Sequence, residues 1–257
     1  MNEKEIRHLI ELSELLMTKI KNKEKIQILN GRYGVYLKCG KTNVSIAKDT
    51  DIEKFTIDDA VILLEEKLKE AKTCRFKLIA TDAVFSMDGY IAPLDKIVSL
   101  AKQYDALVMM DDCHGIGVIG KQGKGASEHY NLLGEIDIIT GTLGKALGGA
   151  SGGFTTGKKV LIDYLRQRSR PYLFSNSLAP MITASSIKAI DLLTENPTLI
   201  THLHENTTFF RQTLTEYGFD IIPGTHAIIP IMLYDETLAT TMAAELMKKG
   251  IYVVGFS

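Results

Sequence analysis

No apolar run in this sequence reaches the roughly 18–20 residues that a membrane-spanning helix needs, so a transmembrane helix is not expected. Cysteine is scarce. Cys39, Cys74 and Cys113 are scattered and form no C-x-x-C pair, so neither a disulfide framework nor a zinc or other metal site is expected, and a reducing cytoplasm is. Charge of neither sign dominates: 30 Lys and Arg stand against 31 Asp and Glu, a formal net charge of −1. Nothing global draws the chain to nucleic acid or to an anionic membrane. The N-terminal residues 1–8 are charged and polar and lack a signal-peptide pattern. There is no internal repeat and no low-complexity segment. What remains is ordinary for a soluble globular protein, with a hydrophobic share of 45% and a charged share of 24%. The 257 residues are enough for one large domain or two smaller ones.

Periodicity divides the chain. Ile6, Leu9, Ile10, Leu16 and Ile20 recur at helical spacing or its multiples and predict an amphipathic helix over residues 4–23. Residues 26–38 alternate as strands around an Asn30-Gly31 turn signal, and residues 43–47 can add another strand. Thr56, with Asp59 three residues on, predicts a helix start. From about residue 75 short apolar strands at 76–80, 106–110 and 136–140 alternate with helices. The helices are predicted at 93–103, 158–168, 178–193, 197–217 and 237–249. Such a pattern suits a parallel sheet covered on both faces. Residues 227–233 read as a later strand, in which Pro230 favours an edge or bulge of a second, smaller unit.

The candidate chemistry centres on Thr140-Gly-Thr-Leu-Gly-Lys-Ala-Leu-Gly-Gly-Ala-Ser-Gly-Gly153. Small residues around Lys145 let a flat ligand approach the backbone, as an amine that must reach a bound aldehyde requires. Taken alone, the loop suits a solvated lysine equally well. Thr142 and the glycine amides can serve a phosphate. Asp111 closes a buried-looking strand, where an open α/β sheet places its ligands. A carboxylate there can hold a pyridine nitrogen protonated, or serve simply as a strand-end cap. His114 can stack on such a ring or bond its phenolic oxygen, or it can be a satisfied core histidine. Ser86, in Phe85-Ser-Met-Asp-Gly89, falls at the same sheet edge, on what is otherwise an ordinary Asp-Gly turn. Residues 166–177 crowd Arg166, Arg168 and Arg170 before Tyr172, Phe174 and Ser175. That composition suits anion binding, a subunit contact or a solvated helix end.

Three apparent motifs lack their context. Residues 115–120 match G-x-G-x-x-G, but they lie four residues after the strand end and open no helix. Residues 141–146 lack P-loop spacing and carry Ala146 where a magnesium-holding hydroxyl belongs. His202 and His204, two apart on a predicted helix, face different ways.

Residues from about 64 to 257 resemble the α-oxoamine synthase group of fold-type I pyridoxal-phosphate (PLP) enzymes, and within it the glycine C-acetyltransferases. The matching runs are residues 80–89, 104–114, 137–153 and 165–180, with His226-Ala-Ile-Ile-Pro230 in addition. The resemblance begins inside the family's large domain and stops inside its small one. The family's N-terminal region, and its later carboxylate-binding arginine, therefore fall outside it. The resemblance implies PLP as cofactor and Lys145 as the lysine that bonds the cofactor aldehyde and shuttles a proton. Asp111 would face the pyridine nitrogen, His114 and Ser86 the phenolic oxygen, and Thr142 the phosphate. Phe174 and Ser175 would reach the phosphate in a neighbouring subunit, which implies a homodimer. The implied reaction joins glycine and acetyl-CoA to give 2-amino-3-ketobutyrate and CoA, or runs in reverse in threonine breakdown.

Residues 26–66, with Gly31-Arg-Tyr-Gly34, Lys38 and Lys41, resemble a C-terminal repeat of bacterial type IA DNA topoisomerase. That resemblance implies a small module with DNA contacts and no cleavage activity. The expected organisation is an N-terminal helix (1–25), a topoisomerase-C-terminal-like module (26–67) of small α/β form, a partial PLP-binding large domain (68–195) and a small α+β C-terminal domain (196–257). The expected fold class is α/β, a partial fold-type I PLP-transferase with a parallel-rich sheet and helices on both faces. Besides the acyltransferase, two alternatives are a catalytically incomplete fragment acting as a binding module and a DNA-binding module at 26–66.

Overall fold

The computed structural model describes residues 18–21, 24–31, 34–39, 42–45, 57–148 and 151–256. Its centre is an eight-stranded sheet of order β4-β3-β2-β1-β5-β6-β7-β8. The strands are β1 (Thr18–Lys21), β2 (Glu24–Gly31), β3 (Gly34–Cys39), β4 (Thr42–Ser45), β5 (Phe76–Asp82), β6 (Leu107–Asp111), β7 (Ile138–Thr142) and β8 (Gly153–Gly157). The described helices are α1 (Ile57–Glu70), α2 (Leu94–Tyr104), α3 (Ala126–His129), α4 (Lys159–Arg168), α5 (Arg170–Phe174), α6 (Pro180–Glu195), α7 (Thr198–Glu216) and α8 (Glu236–Lys248).

The helices α1, α2, α4, α6, α7 and α8 and the strands β5, β6 and β7 follow the sequence pattern closely, and the corrections concern the sheet's pairing, β8, residues 18–21 and residues 227–233. The sheet is mixed, not parallel-rich. β5, β6 and β7 pair in parallel, while β7–β8 and all pairs among β1 to β5 are antiparallel. Parallel pairing needs a long crossover, which α2 supplies between β5 and β6, whereas short connections between β1 and β4 force antiparallel neighbours. β8 was not anticipated, because a five-residue segment bounded by Gly153 and Gly157 carries little strand signal. Residues 18–21 form a strand where a helix was expected. Thr18-Lys-Ile-Lys21 also alternates with period two, and pairing with β2 and β5 decides the matter. The rest of the predicted helix over 4–23 and the Thr56 cap lie outside the described residues. The β2–β3 register puts Gly31 opposite Gly34, so Asn30 and Gly31 are the last residues of β2 and not turn residues, and β2 starts before residue 26.

Residues 227–233 make no strand. Their single ladder contact is the isolated bridge Ile221–Ile231. Pro230 has no N–H to give, and Arg211 binds the carbonyls of His226 and Ile228 that a ladder would use.

The core lies between the parallel strands and the helices α1 and α2. Leu94, Ile97, Val98 and Ala101 follow the i, i+3, i+4, i+7 spacing of a helix face and are buried, as are Ala60, Leu64 and Leu68 on α1. All of these but Ala60 pack with Ile79, Val108 and Met110. Asp105, in the left-handed region at φ 52, closes α2. Asp137 is buried just before β7 and is doubly satisfied. It accepts from the Val108 N–H at 2.8 Å and from Lys158 at 2.6 Å. By contrast α4, α5 and α8 bury none of their residues.

Candidate active site

The parallel strands β5, β6 and β7 end side by side, with Asp82 opposite Asp111 and Asp111 opposite Thr140 in register. The three loops that leave these strand ends carry Ser86, the Asp111–His114 run and Lys145. The sequence signals therefore converge at one sheet edge, as the strand-end rule for open α/β sheets requires.

Asp111 is half-buried and held on both oxygens. The Thr140 hydroxyl donates to Oδ2 at 2.6 Å and the Cys113 N–H to Oδ1 at 3.0 Å. Burial pushes this carboxyl up, but the donors Cys113 and Thr140 and the charge of Lys145 outweigh it and hold Asp111 below the ordinary range. Asp111 is thus an anion at neutral pH, with lone pairs left on each oxygen for a further donor. His114 is pushed down by burial first and by the Lys145 charge second, against the pull of Asp111. A histidine shifted in that direction stays neutral and keeps one donor and one acceptor nitrogen. Cys113, beside them, is pushed up to about 11 by burial and by Asp111. It is a thiol, not a nucleophile.

Lys145 stands exposed on the loop between β7 and β8. The loop is tied by the Leu143 N–H to the Gly152 carbonyl at 2.9 Å and by a turn from the Gly148 N–H to the Lys145 carbonyl at 3.0 Å. It meets the His114 loop at Gly117, whose φ is +80 and where a Cβ would lie 3.1 Å from that of Ala146. This contact brings the lysine loop against the histidine loop. Thr142 is engaged within its own loop, donating to the Gly152 carbonyl and accepting from the Gly144 N–H, each at 3.2 Å. Ser86 is exposed on the turn at 86–88 that follows β5. Phe174 and Ser175 are not part of this cluster. Both are exposed on α5 and just beyond it, where Phe174 lies under the Arg170 guanidinium and Ser175 donates to the Pro171 carbonyl. An open groove of about 590 Å³ beside α7, lined by Lys121, His204 and Phe209 among others, includes none of the cluster's residues.

Two contributors had no role in the sequence reading. Asp112 is buried, accepts from the Ala126 N–H at 2.9 Å and is pushed up to about 7 by burial, with the Asp111 charge adding to it against that hydrogen bond. Its Oδ1 and the Ser127 hydroxyl are buried without a partner among the described residues. The glycines at 115 and 125 make room for it, since a Cβ at either would fall about 2 Å from a carboxylate oxygen. Adjacent aspartates thus divide: Asp111 carries the charge toward the site, and Asp112 organises the loop from beneath. His226 is the other. It lies 112 residues from His114 and bonds its main-chain carbonyl at 3.0 Å.

The donor set fits PLP. An accessible primary amine, an anionic half-buried carboxylate, a neutral imidazole, two hydroxyls and a glycine-rich stretch of backbone amides share one sheet edge. Among the described residues no group of three or more His, Cys, Asp or Glu is placed to hold a metal ion, and no helix is long and apolar enough to cross a membrane.

A mixed sheet whose parallel strand ends carry this lysine, aspartate and histidine defines a class, and the chain belongs to the aminotransferase class I and II family, whose model matches residues 11–257. The match takes in residues 26–66, where the topoisomerase-like run lies. More particularly, the chain is 53% identical over 195 residues to 2-amino-3-ketobutyrate coenzyme A ligase of Escherichia coli, an alignment covering 75% of this chain and 49% of that one. It is 51% identical over 191 residues to 8-amino-7-oxononanoate synthase of Petrotoga mobilis, covering 74% and 48%. A solved structure of serine palmitoyltransferase from S. paucimobilis, with a bound PLP–myriocin aldimine, superimposes with a TM-score of 0.71 at 31% identity, covering 77% of this chain and 51% of that one. The chain spans about half the length of the curated relatives it matches.

Proposed function

We propose that this chain carries the lysine half of a PLP-dependent acyltransferase site that joins glycine and acetyl-CoA to give 2-amino-3-ketobutyrate and CoA, and runs the same reaction in reverse. The observation that carries the reading is the meeting of the Lys145 loop with the Asp111–His114 loop at the ends of β6 and β7. Identity of about half the residues to a ligase named for that product supports the substrate class. Residues 68–195 are the cofactor-binding unit in this proposal, and residues 196–257 pack against it.

When bound, the cofactor supplies an electron sink that stabilises negative charge on the glycine α-carbon. The protein's part is positioning and proton transfer. Lys145 would hold the cofactor through its aldehyde and, as a free amine with glycine bound, would take the α-proton. Asp111, kept anionic by Thr140 and Cys113, holds a proton on the pyridine nitrogen. His114 and Ser86 take the phenolic oxygen, and Thr142 with the glycine amides takes the phosphate. We further propose a homodimer in which Phe174 and Ser175 serve the partner's site. The exposed Tyr164, Tyr172 and Met181 on α4 to α6, large side chains of the kind enriched at interfaces, support that reading.

The test is cofactor capture. Mixing the purified chain with PLP, reducing with borohydride and mapping the modified peptide should place the label on Lys145. A label spread over surface lysines would sink the proposal. Acetyl-CoA and a longer acyl-CoA, offered with glycine, then separate this reading from an oxononanoate synthase, whose nine-carbon product calls for a longer acyl donor.

A further inference from the structure

The segment His226–Ile228 touches both loops that carry the residues proposed for the cofactor's ring oxygen. On one side the His226 Nε2 bonds the His114 carbonyl at 3.0 Å. On the other, the Ile228 carbonyl oxygen lies only 2.7 Å from where a Cβ on Gly89 would be, and Gly89, at φ +72, closes the turn that bears Ser86. Gly89 is the residue type that permits this approach.

The histidine is fixed in one form. The Ile228 N–H donates to Nδ1 at 3.0 Å, so that nitrogen carries no proton, and the proton lies on Nε2, directed at His114. Burial and nearby positive charge push His226 down, against the His114 carbonyl, which favours the neutral ring. The segment is in turn gripped by Arg211 from α7. Its Nη1 donates to the Ile222 carbonyl at 2.9 Å, Nε and Nη2 to that of His226, and Nη2 to that of Ile228 at 2.9 Å. A guanidinium has the rigid donor geometry to hold three carbonyls at once; an ammonium does not.

We infer that His226, held by Arg211, is a positioning residue: it sets the His114 loop through one hydrogen bond and the Ser86 turn through Ile228, so that the C-terminal unit holds both loops in the geometry the cofactor needs. The inference rests on the reading of Ser86 and His114 given under the proposed function. It also supplies what the second unit does for a site whose other residues all come from the first.

The test uses the full 257-residue chain, without cofactor and with it. Without cofactor, hydrogen exchange is followed at residues 85–90 and 112–117, where the amides of Gly89, Gly115 and Ile116 are hydrogen-bonded. His226→Phe keeps the volume and loses both bonds, and should raise exchange in both loops by about tenfold or more. His226→Gln keeps a donor for the His114 carbonyl and loses the acceptor for Ile228, so protection returns at 112–117 more than at 85–90. Leu214→Ala, in the buried face of the same helix as Arg211, is the stability control. It should lower the melting temperature and leave both loops protected. With PLP, His226→Phe should weaken binding about tenfold and shift the visible cofactor band, while Leu214→Ala should change neither. Should His226→Phe not fold, Arg211→Lys takes its place with the same expectations. Unchanged exchange in the loops, or equal exposure in the Leu214→Ala chain, overturns the inference. Failure of the parent chain to take up PLP overturns the functional reading and leaves the exchange result to decide this one.

Discussion

Thr140 and Asp111 are register partners on adjacent parallel strands, and the threonine hydroxyl donates to the aspartate Oδ2 at 2.6 Å. Backbone pairing thus fixes the hydrogen bond that keeps the carboxylate charged. Replacing Thr140 by Val, nearly the same shape, removes only that donor. Asp111 then titrates at higher pH, and PLP binding should weaken roughly five- to tenfold, part of the value of one charge-assisted bond. An absorbance titration with PLP checks it. Unchanged affinity would mean that Thr140 has no part in tuning Asp111.

Lys145→Ala should abolish the borohydride-stable cofactor adduct while moving the melting temperature by little, because the side chain is exposed. Peptide mapping reads the first outcome and calorimetry the second. An adduct that persists elsewhere would displace Lys145 from its role.

Asp111→Ala should reduce cofactor retention far more than His129→Ala. His129 is an exposed residue whose ring contact is with Tyr130. Dialysis of the loaded chains, followed by absorbance, compares them. Equal losses would remove the strand-end carboxylate from the site.

Asp112 makes stability depend on pH in an unusual direction. Its folded value, about 7, lies above the unfolded 3.8, so the folded chain binds the proton more tightly. This contribution is whole below about pH 4 and is lost as pH rises through about 7. Asp112→Asn retains an acceptor for the Ala126 N–H and cannot titrate. The stability difference between variant and parent should therefore move in the variant's favour between pH 4 and 7, by at most about 4 kcal/mol. Urea melts at a series of pH values measure it, and parallel curves would contradict the assignment.

Gly125→Ala places a methyl 1.9 Å from the Asp112 Oδ2, at a φ of +86. Both effects cost stability, by roughly 2 kcal/mol or more together. The variant should melt lower and lose PLP affinity, because the loop it deforms carries His114.

Much of this was legible in advance, for physical reasons. β5, β6 and β7 are short apolar runs ended by polar residues, and α2 keeps its apolar face at helical spacing, so local pattern sufficed. That Lys145, Asp111, Thr142 and Ser86 fall at one sheet edge was legible because small residues and strand ends are local features too. What escaped depends on partners far along the chain. Helical spacing carried the reading of residues 4–23, and pairing with β2 and β5 made Thr18–Lys21 a strand instead. Residues 227–233 have strand composition, but a guanidinium from α7 takes their carbonyls. Nothing within the run Asp111-Asp-Cys-His114 distinguishes the charged aspartate from its buried neighbour. That difference is made by Thr140 on one side and the amide of Ala126 on the other.

The lysine loop has both of its ends in one antiparallel pair, with Ile138 opposite Gly157 and Thr142 opposite Gly153. At Gly157 a methyl would meet the Asp137 carbonyl at 2.2 Å, so even alanine there must push β8 away from its neighbour or out of step with it. A slip by one residue pair would carry the loop roughly 7 Å along the strand. Under the proposed function, a screen for lost PLP capture would accordingly return Gly157 beside Lys145. The two positions would look like neighbours in function although Gly157 lies at the far end of the hairpin and touches no reacting group.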